Sequence, residues 1–410
     1  MQGILLNVSS KVGFIKDAFF RSFQSLFKQL IILLPSLLLV KYINEKSYGI
    51  FSMVIGIATI TVSFSDFGIT IIALKELIQS KDTEEKKQIL GSSLFVPLLL
   101  SIFFSIITFL YLSSKVEFTL IFLCITLIIV SPFYLILDSF LRSTLQFKRL
   151  SQRTIISATI SISLQGILFN LFGINGVMTG IIFFYLSFTF LNINTLIEYC
   201  GKPNLKIIKR ILKKSIFIGL GTIGFLLFAR FDIIIFSKYN LINEIGYYEY
   251  INKIFEVLAY PFAILAQVLT PRLISKDKSS TSKIYNQIIL GITVCTIILA
   301  LLIHWLLPFY NTISPYFKHE SFKNAFGIMN IVYPFRVLVI FHAQTFFIIQ
   351  GKEKEFLYII LGMGLLSFVS NLTIIPSYGI EGAYYTSLTV SIITLLMQSI
   401  VVHKTHLKLR

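Results

Sequence analysis

Phe118–Leu141 reads FTLIFLCITLIIVSPFYLILDSFL, a run of 24 residues in which Asp138 carries the only charge. An α-helix rises about 1.5 Å per residue, so about 20 apolar residues cross the ~30 Å hydrocarbon core of a bilayer. The run therefore predicts one complete membrane span. Lys115 and Glu117 precede it, and Arg142, Lys148 and Arg149 follow it. Runs of this kind recur along the chain. With the polar breaks between them, they predict twelve spans near 20–41, 48–74, 89–112, 118–141, 154–172, 174–197, 215–237, 246–270, 284–307, 325–349, 355–375 and 379–402. The narrowest breaks are Phe172–Asn175 and Pro376–Tyr378, where Gly or Pro beside a polar residue interrupts the apolar signal.

The composition agrees with this reading. Of 410 residues, 55% are hydrophobic and 13% are charged, whereas soluble chains carry about 25% charged residues. A cytosolic enzyme, a disordered chain and a disulfide-stapled module are all excluded. The expected fold class is an all-α polytopic membrane protein. Cys124, Cys200 and Cys295 have no paired spacing, and the five histidines have no ligand spacing, so no metal site is expected. No cleavable signal peptide is read at the N-terminus, because the first long apolar run is long enough to remain in the bilayer.

The net charge of +17 resolves into a topology. On alternate loops, 27 of the 36 basic residues fall on the side that holds both termini, six fall on the other side, and Arg230, Lys253 and Arg336 lie inside spans. Short cytoplasmic loops are enriched in Lys and Arg, so both termini are expected in the cytoplasm. Scattered over seven short segments beside membrane helices, these residues do not form a nucleic-acid surface.

Two echoes mark an internal repeat. Gly173-Ile174-Asn175-Gly176 recurs as Gly379-Ile380-Glu381-Gly382 at an offset of 206, and Gln146-Phe147-Lys148 is echoed by Gln350-Gly351-Lys352 at an offset of 204. The expected organisation is a six-helix half over 1–197, a cytoplasmic linker over 198–214 and a second six-helix half over 215–410. Because each half holds an even number of spans, the halves share one orientation, an arrangement that commonly encloses a central cavity.

No catalytic motif stands out. Gly219-Leu220-Gly221-Thr222-Ile223-Gly224 matches the dinucleotide fingerprint but opens an apolar span rather than following a strand, so it reads as a close helix contact or a bend. Asp66-Phe67-Gly68 occurs without any other kinase motif. The informative residues are ionisable groups at membrane depth, each costing about 2.5–3.5 kcal/mol or more unless it faces protein or water. They are Lys28, Asp66, Asp138, Arg230, Asp232, Lys253, Glu256 and Arg336. Asp138 stands four residues before Arg142, and Lys253 three before Glu256, spacings that favour pairing on one helix. Lys28 can reach the interface, but it shares a stripe with Ser22, Ser25, Gln29 and Ser36 that suits a wet surface. Arg230 and Asp232 point about 200° apart on a continuous helix and each needs a partner from elsewhere. Arg336 has no acidic residue within a turn. Two deep guanidinium groups suit an anionic substrate such as a phosphate ester. Thr154, Ser157, Thr159, Ser161, Ser163 and Gln165 give the fifth span a hydroxyl and amide content that either bonds within the protein or meets sugar hydroxyls.

Taken together, Asp66-Phe67-Gly68, Arg230-Phe231-Asp232, Gly246-Tyr247-Tyr248 and Pro271-Arg272-Leu273, set in twelve spans, resemble the polysaccharide-biosynthesis flippases of the O-antigen (Wzx) type. That family belongs to the MOP superfamily with the MATE multidrug exporters and the lipid II flippase. The resemblance implies a multi-pass protein of the bacterial inner membrane that moves an undecaprenyl-diphosphate-linked oligosaccharide, such as an O-antigen unit for lipopolysaccharide, from the cytoplasmic to the periplasmic leaflet. It implies alternating access without ATP hydrolysis or a cofactor, with a polysaccharide polymerase and a chain-length regulator as partners. On this reading Arg230, Arg336, Lys28 and Lys253 bind the diphosphate and sugars, and Asp66, Asp232 or Glu256 couple an H⁺ or Na⁺ gradient. The alternatives are a cation-coupled MATE-type exporter and a membrane polysaccharide polymerase or ligase. The latter is disfavoured because the longest outside stretch, about Pro308 to Asn324, offers only Lys318, His319, Glu320 and Lys323 as ionisable groups.

Overall fold

The computed structural model describes residues 2–80, 82–274, 278–306, 315–350 and 352–407, with side chains of 2–18, 267–268, 270–284, 348–349, 353 and 406–407 outside the description. Pro271-Arg272-Leu273, the Gly351 of the second echo and part of the outside stretch from Pro308 lie outside the described residues or side chains. In chain order the helices are α1 (Gln2–Leu39), α2 (Glu45–Asp66), α3 (Ile69–Gln79), α4 (Thr83–Leu112), α5 (Phe118–Ser143), α6 (Phe147–Leu191), α7 (Ile193–Tyr199) and α8 (Leu205–Ala229). They continue with α9 (Asp232–Lys238), α10 (Ile242–Ile274), α11 (Lys278–Leu306), α12 (Glu320–Gln344), α13 (Phe346–Ile349) and α14 (Glu353–Leu407). The described residues contain no strand.

Among the described residues, nine helices are long and apolar enough to cross a membrane. Two of the nine, α6 and α14, each hold a pair of predicted spans and bend between them, at Gly173 (φ 56°, ψ −133°) and Gly379 (φ 53°, ψ −136°). The 33-residue α10 stands at the eighth predicted span. The two bends share one backbone conformation that only glycine adopts readily, and they stand at the two copies of the repeat.

The chain forms two compact units: residues 1–36 with 54–222, and residues 37–53 with 223–410. The divisions fall inside α1, α2 and α8.

In the first unit, α5 packs against α3, α4 and α6. Its neighbour α4 turns Ser92, Ser93, Ser101, Ser105 and Thr108 inward and Leu99, Ile102, Phe103, Ile106 and Leu110 outward. Small residues allow close approach inside while hydrocarbon faces hydrocarbon outside. The two arms of α6 close on each other: Ser161 Oγ donates to the Gly180 carbonyl at 2.7 Å, and Gln165 Nε2 donates to Ser161 Oγ at 3.0 Å and to the Ile31 carbonyl at 3.2 Å. Those polar groups of the fifth span are therefore structural, while Thr154 and Ser157 keep buried hydroxyls without a hydrogen-bond partner.

Residues 198–214, read as a linker, contain the end of α7, a short extended stretch and the first turns of α8. The extended part rests on α4, with Gly201 N–H donating to the Lys87 carbonyl at 3.0 Å and Asn204 N–H to Ser92 Oγ at 2.9 Å. Arg210 then bridges Glu76 (2.8 Å) and Glu85 (3.0 Å), and Lys214 also pairs with Glu76. The Ser80 hydroxyl and the Arg210 guanidinium hold the Glu85 carboxyl below its ordinary range. Asp66-Phe67-Gly68 forms the sharp turn between α2 and α3, with positive φ at Phe67 and Gly68. A Cβ at Gly219 would press on the Phe67 ring at 2.7 Å, so the two motif look-alikes are halves of one packing contact.

In the second unit, α12 occupies the position that α5 holds in the first, packed against α10, α11 and α14. Gly224 of α8 and Gly364 of α14 meet backbone to backbone. At the start of α10, Glu244 caps the second arm of α14, its carboxylate accepting the Ile380 N–H at 2.6 Å.

Candidate functional site

The polar cluster of the second unit begins at a break. α8 ends at Ala229, and Arg230 and Phe231 form a turn before α9 starts at Asp232. The N–H groups of Arg230 and Phe231 both donate to the Leu226 carbonyl, and the turn then tightens as Ile233 N–H donates to the Arg230 carbonyl at 3.3 Å. The expectation that Arg230 and Asp232 share a continuous helix is corrected by this turn. Neither Gly nor Pro marks it. Lys238 closes α9 eight residues on, about 12 Å along a helix, so the break lies well inside the predicted span over 215–237. Irregular backbone at such depth is tolerated where protein or water satisfies it.

The Arg230 guanidinium meets two carboxylates. Nη1 donates to Glu249 at 2.9 and 3.1 Å, and Nη2 donates to Glu256 Oε1 at 2.7 Å. Lys253 Nζ lies 2.8 Å from Glu256 Oε2 and 3.9 Å from Glu249 Oε2. Two cations and two anions thus form a charge-balanced ring, in which Glu249, Lys253 and Glu256 share one face of α10 at helical spacing. Glu249 is 4% exposed and Glu256 45% exposed, so one side of the ring is sealed and the other is accessible. Sequence reading alone does not single out Glu249. The signal was present, since it stands four residues before Lys253 and seven before Glu256.

Asp232, buried beside this ring, accepts from the Tyr248 hydroxyl and from Asn371 Nδ2 at 2.6 Å. The other amide atom of Asn371, Oδ1, is buried without a hydrogen-bond partner. Tyr384 holds Tyr248 in place, its hydroxyl donating to the Tyr248 carbonyl at 3.1 Å with the rings 5.2 Å apart. Arg336 on α12 donates to Asn252 Oδ1 on α10 at 3.2 Å and lies within electrostatic reach of Asp232. Its compensation therefore comes from another helix.

The remaining candidates belong to the first unit. Lys28 places its ammonium 4.7 Å from the Tyr134 ring centroid, a cation–π contact. Nearby, Asp138 pairs with Arg142 and accepts from Gln24 Nε2 at 2.8 Å. Asp66 is committed to its own turn, accepting the Thr70 N–H at 3.2 Å and the Thr70 hydroxyl at 3.0 Å. The structure therefore joins Arg230, Lys253 and Glu256 directly, sets Asp232 and Arg336 beside them, and gives Lys28 and Asp66 separate settings in the other unit. Among the described residues, no group of three or more His, Cys, Asp or Glu side chains could hold a metal ion.

Over residues 14–276 the sequence matches the family described as polysaccharide biosynthesis protein. No curated protein sequence matches it. Among solved structures, the inward closed conformation of the lipid II flippase MurJ superposes with a TM-score of 0.74 at 15% identity, covering 94% of this chain and 87% of that one. An inward-facing multidrug resistance MATE family transporter of the MOP superfamily gives 0.62 at 13% identity, covering 93% and 94%. A MOP superfamily transporter from Pyrococcus furiosus gives 0.61 at 13% identity, covering 95% of each chain. The chain shares its fold with these transporter and flippase structures.

Proposed function

Because the chain belongs to the polysaccharide biosynthesis protein family, we propose that it is a flippase for a lipid-linked oligosaccharide, with an undecaprenyl diphosphate carrier, moving the headgroup from the cytoplasmic to the periplasmic leaflet of the bacterial inner membrane. Moving a diphosphate and sugars through hydrocarbon unaided is prohibitive, whereas the prenyl chain can stay in lipid. What the protein must supply is polar side chains at membrane depth. The observation that carries this reading is the break at Arg230–Phe231, which holds a guanidinium and a carboxylate well inside a predicted span beside Lys253, Glu256 and Arg336.

Within that set, Arg336 is the leading phosphate ligand. Among the described residues it donates to a neutral amide and makes no direct ion pair, with Asp232 only within electrostatic reach, whereas the charge of Arg230 is matched by Glu249 and Glu256. A diphosphate that engages Arg230 must first draw it from Glu256, the more accessible of the two carboxylates. Such exchange ties headgroup binding to the state of Glu256, and an H⁺ or Na⁺ bound at Glu256 or Asp232 would reset it. Asn371 Oδ1, buried without a partner beside Asp232, offers an oxygen for that cation. Lys28 and Asp66 stand as secondary candidates in the first unit.

Arg336→Ala, produced at normal levels, is expected to abolish surface polysaccharide in a strain that depends on this protein, while Arg336→Lys retains part of it. Full activity in Arg336→Ala overturns the assignment. A second reading, a cation-coupled exporter of MATE type, draws support from the neutral ring, which does not by itself favour an anion. It predicts that deleting the protein changes drug sensitivity and leaves surface polysaccharide intact.

A further inference from the structure

A second polar and apolar juxtaposition lies in the second unit, away from the Arg230 ring in sequence and in its lining residues. α11, α12 and α14 enclose an open trough of about 940 Å³, at the upper end of ligand-site volumes. Its body is apolar: Ile297 and Leu301 of α11 face Ile331, Phe335 and Leu338 of α12. Its polar end carries Lys323, Asn324 and Glu381, and Thr293, His304 and Asn330 complete the polar lining. Lys323 and Leu338 are fifteen residues apart on one helix, about 22 Å, which exceeds one leaflet's share of a ~30 Å core. Ile297, Leu301 and Ile331 are 46%, 64% and 58% exposed, as expected of walls wetted by lipid.

We propose that this trough seats one zwitterionic phospholipid of the ethanolamine type, its phosphate on Lys323, its ammonium on Glu381 and one acyl chain along the α11–α12 wall. Charge complementarity selects the occupant. Among the described residues Lys323 is exposed and makes no ion pair, leaving a cation at the trough's polar end. Asn324 Nδ2 occupies Glu381 Oε1 at 3.2 Å, leaving Oε2 to accept from another donor. A phosphate with a primary ammonium satisfies both groups. A glycerol headgroup satisfies Lys323 but leaves the Glu381 carboxylate facing a net negative lipid, and a choline headgroup has no N–H to give it. Space is available as well, because a Cβ built on Gly327, which lines the trough, meets nothing within 4 Å. In the orientation that the basic loops predict, this end of α12 lies in the periplasmic leaflet.

The full-length protein would be reconstituted in nanodiscs holding equal amounts of phosphatidylethanolamine, phosphatidylglycerol and phosphatidylcholine, then released and read by native mass spectrometry. One retained phosphatidylethanolamine is expected, favoured about tenfold over either other lipid, the scale of one charged hydrogen bond. Lys323→Glu and Glu381→Gln should each lower retention about tenfold. Gly327→Leu should displace the chain while both headgroup ligands remain, so the proposal stays testable if one charge variant fails to fold. Equal retention of phosphatidylglycerol, or wild-type retention in Glu381→Gln and Gly327→Leu, overturns it. Displacement of the bound phospholipid by polyprenyl diphosphate at equal concentration would overturn it too, assigning the trough to the carrier lipid.

Discussion

Arg230 illustrates how a buried charge can mislead a mutational test. Glu249 is sealed from solvent, and its two oxygens both lie on the Arg230 guanidinium. Removing that guanidinium leaves the buried carboxylate with only the longer Lys253 contact at 3.9 Å, and breaking a buried ion pair costs about 3–5 kcal/mol. Arg230→Ala is therefore expected to lower the thermal unfolding midpoint in detergent markedly, so that lost transport in this variant reports the fold as well as the function. The double variant Arg230→Ala with Glu249→Gln should recover a large part of the stability while remaining inactive. If the double variant is no more stable than the single one, Glu249 is not the group that Arg230 neutralises. Arg336→Ala contrasts with this, because it removes one hydrogen bond to a neutral amide, worth about 1.5–3 kcal/mol for a charged donor, and Asp232, which loses a nearby cation, keeps its hydrogen bonds from Tyr248 and Asn371. A variant that stays folded and stops transport separates the two arginines. Same-helix neighbours such as Lys253 and Glu256 could be read from spacing alone. The partners of Asp232, which are Tyr248 and Asn371, could not, since nothing in linear spacing says which helix face lies opposite.

At the scale of the element, the two bends provide an internal comparison. Gly173 and Gly379 adopt the same positive-φ conformation, so an alanine at either position carries backbone strain of about 1–3 kcal/mol. Their surroundings differ. A Cβ at Gly173 meets nothing within 4 Å, whereas at Gly379 it collides with the Glu244 carboxylate, which also caps the second arm of α14. Gly379→Ala should therefore destabilise more than Gly173→Ala, by about 1–2 kcal/mol if the cap is lost, measured as the difference in midpoint between the purified variants. Equal losses would show that strain alone governs both bends. These turns were legible, because glycine beside a polar residue interrupts an apolar run. The break between α8 and α9 was not, because Arg230 and Phe231 are ordinary helix residues in an apolar run, and only the tertiary partners of Arg230 and Asp232 favour opening the helix there. The first turns of α8 were hidden for a related reason. Lys206, Lys209, Arg210, Lys213 and Lys214 read as a loop by charge, yet Arg210 and Lys214 are fixed to acidic groups on α3 and α4.

For the whole molecule, the distribution of basic residues makes the broadest claim. Twelve crossings would place every even-numbered loop on the side of the termini, and the 27-to-six division of Lys and Arg predicts that this side is the cytoplasm. Each loop tests this independently, because one miscounted span would reverse every later loop. With Cys124, Cys200 and Cys295 replaced by Ser, single cysteines at Ser47 and Ser114 should react with a membrane-impermeant maleimide in intact cells. Single cysteines at Thr144 and Lys209 should react only after the membrane is opened. Lys209 matters most, since it stands in the first turns of α8, after six crossings and before the Arg230 break. Labelling of Lys209→Cys in intact cells would mean an odd number of crossings in the first half, and it would reverse the side from which the proposed substrate reaches Arg230 and Arg336.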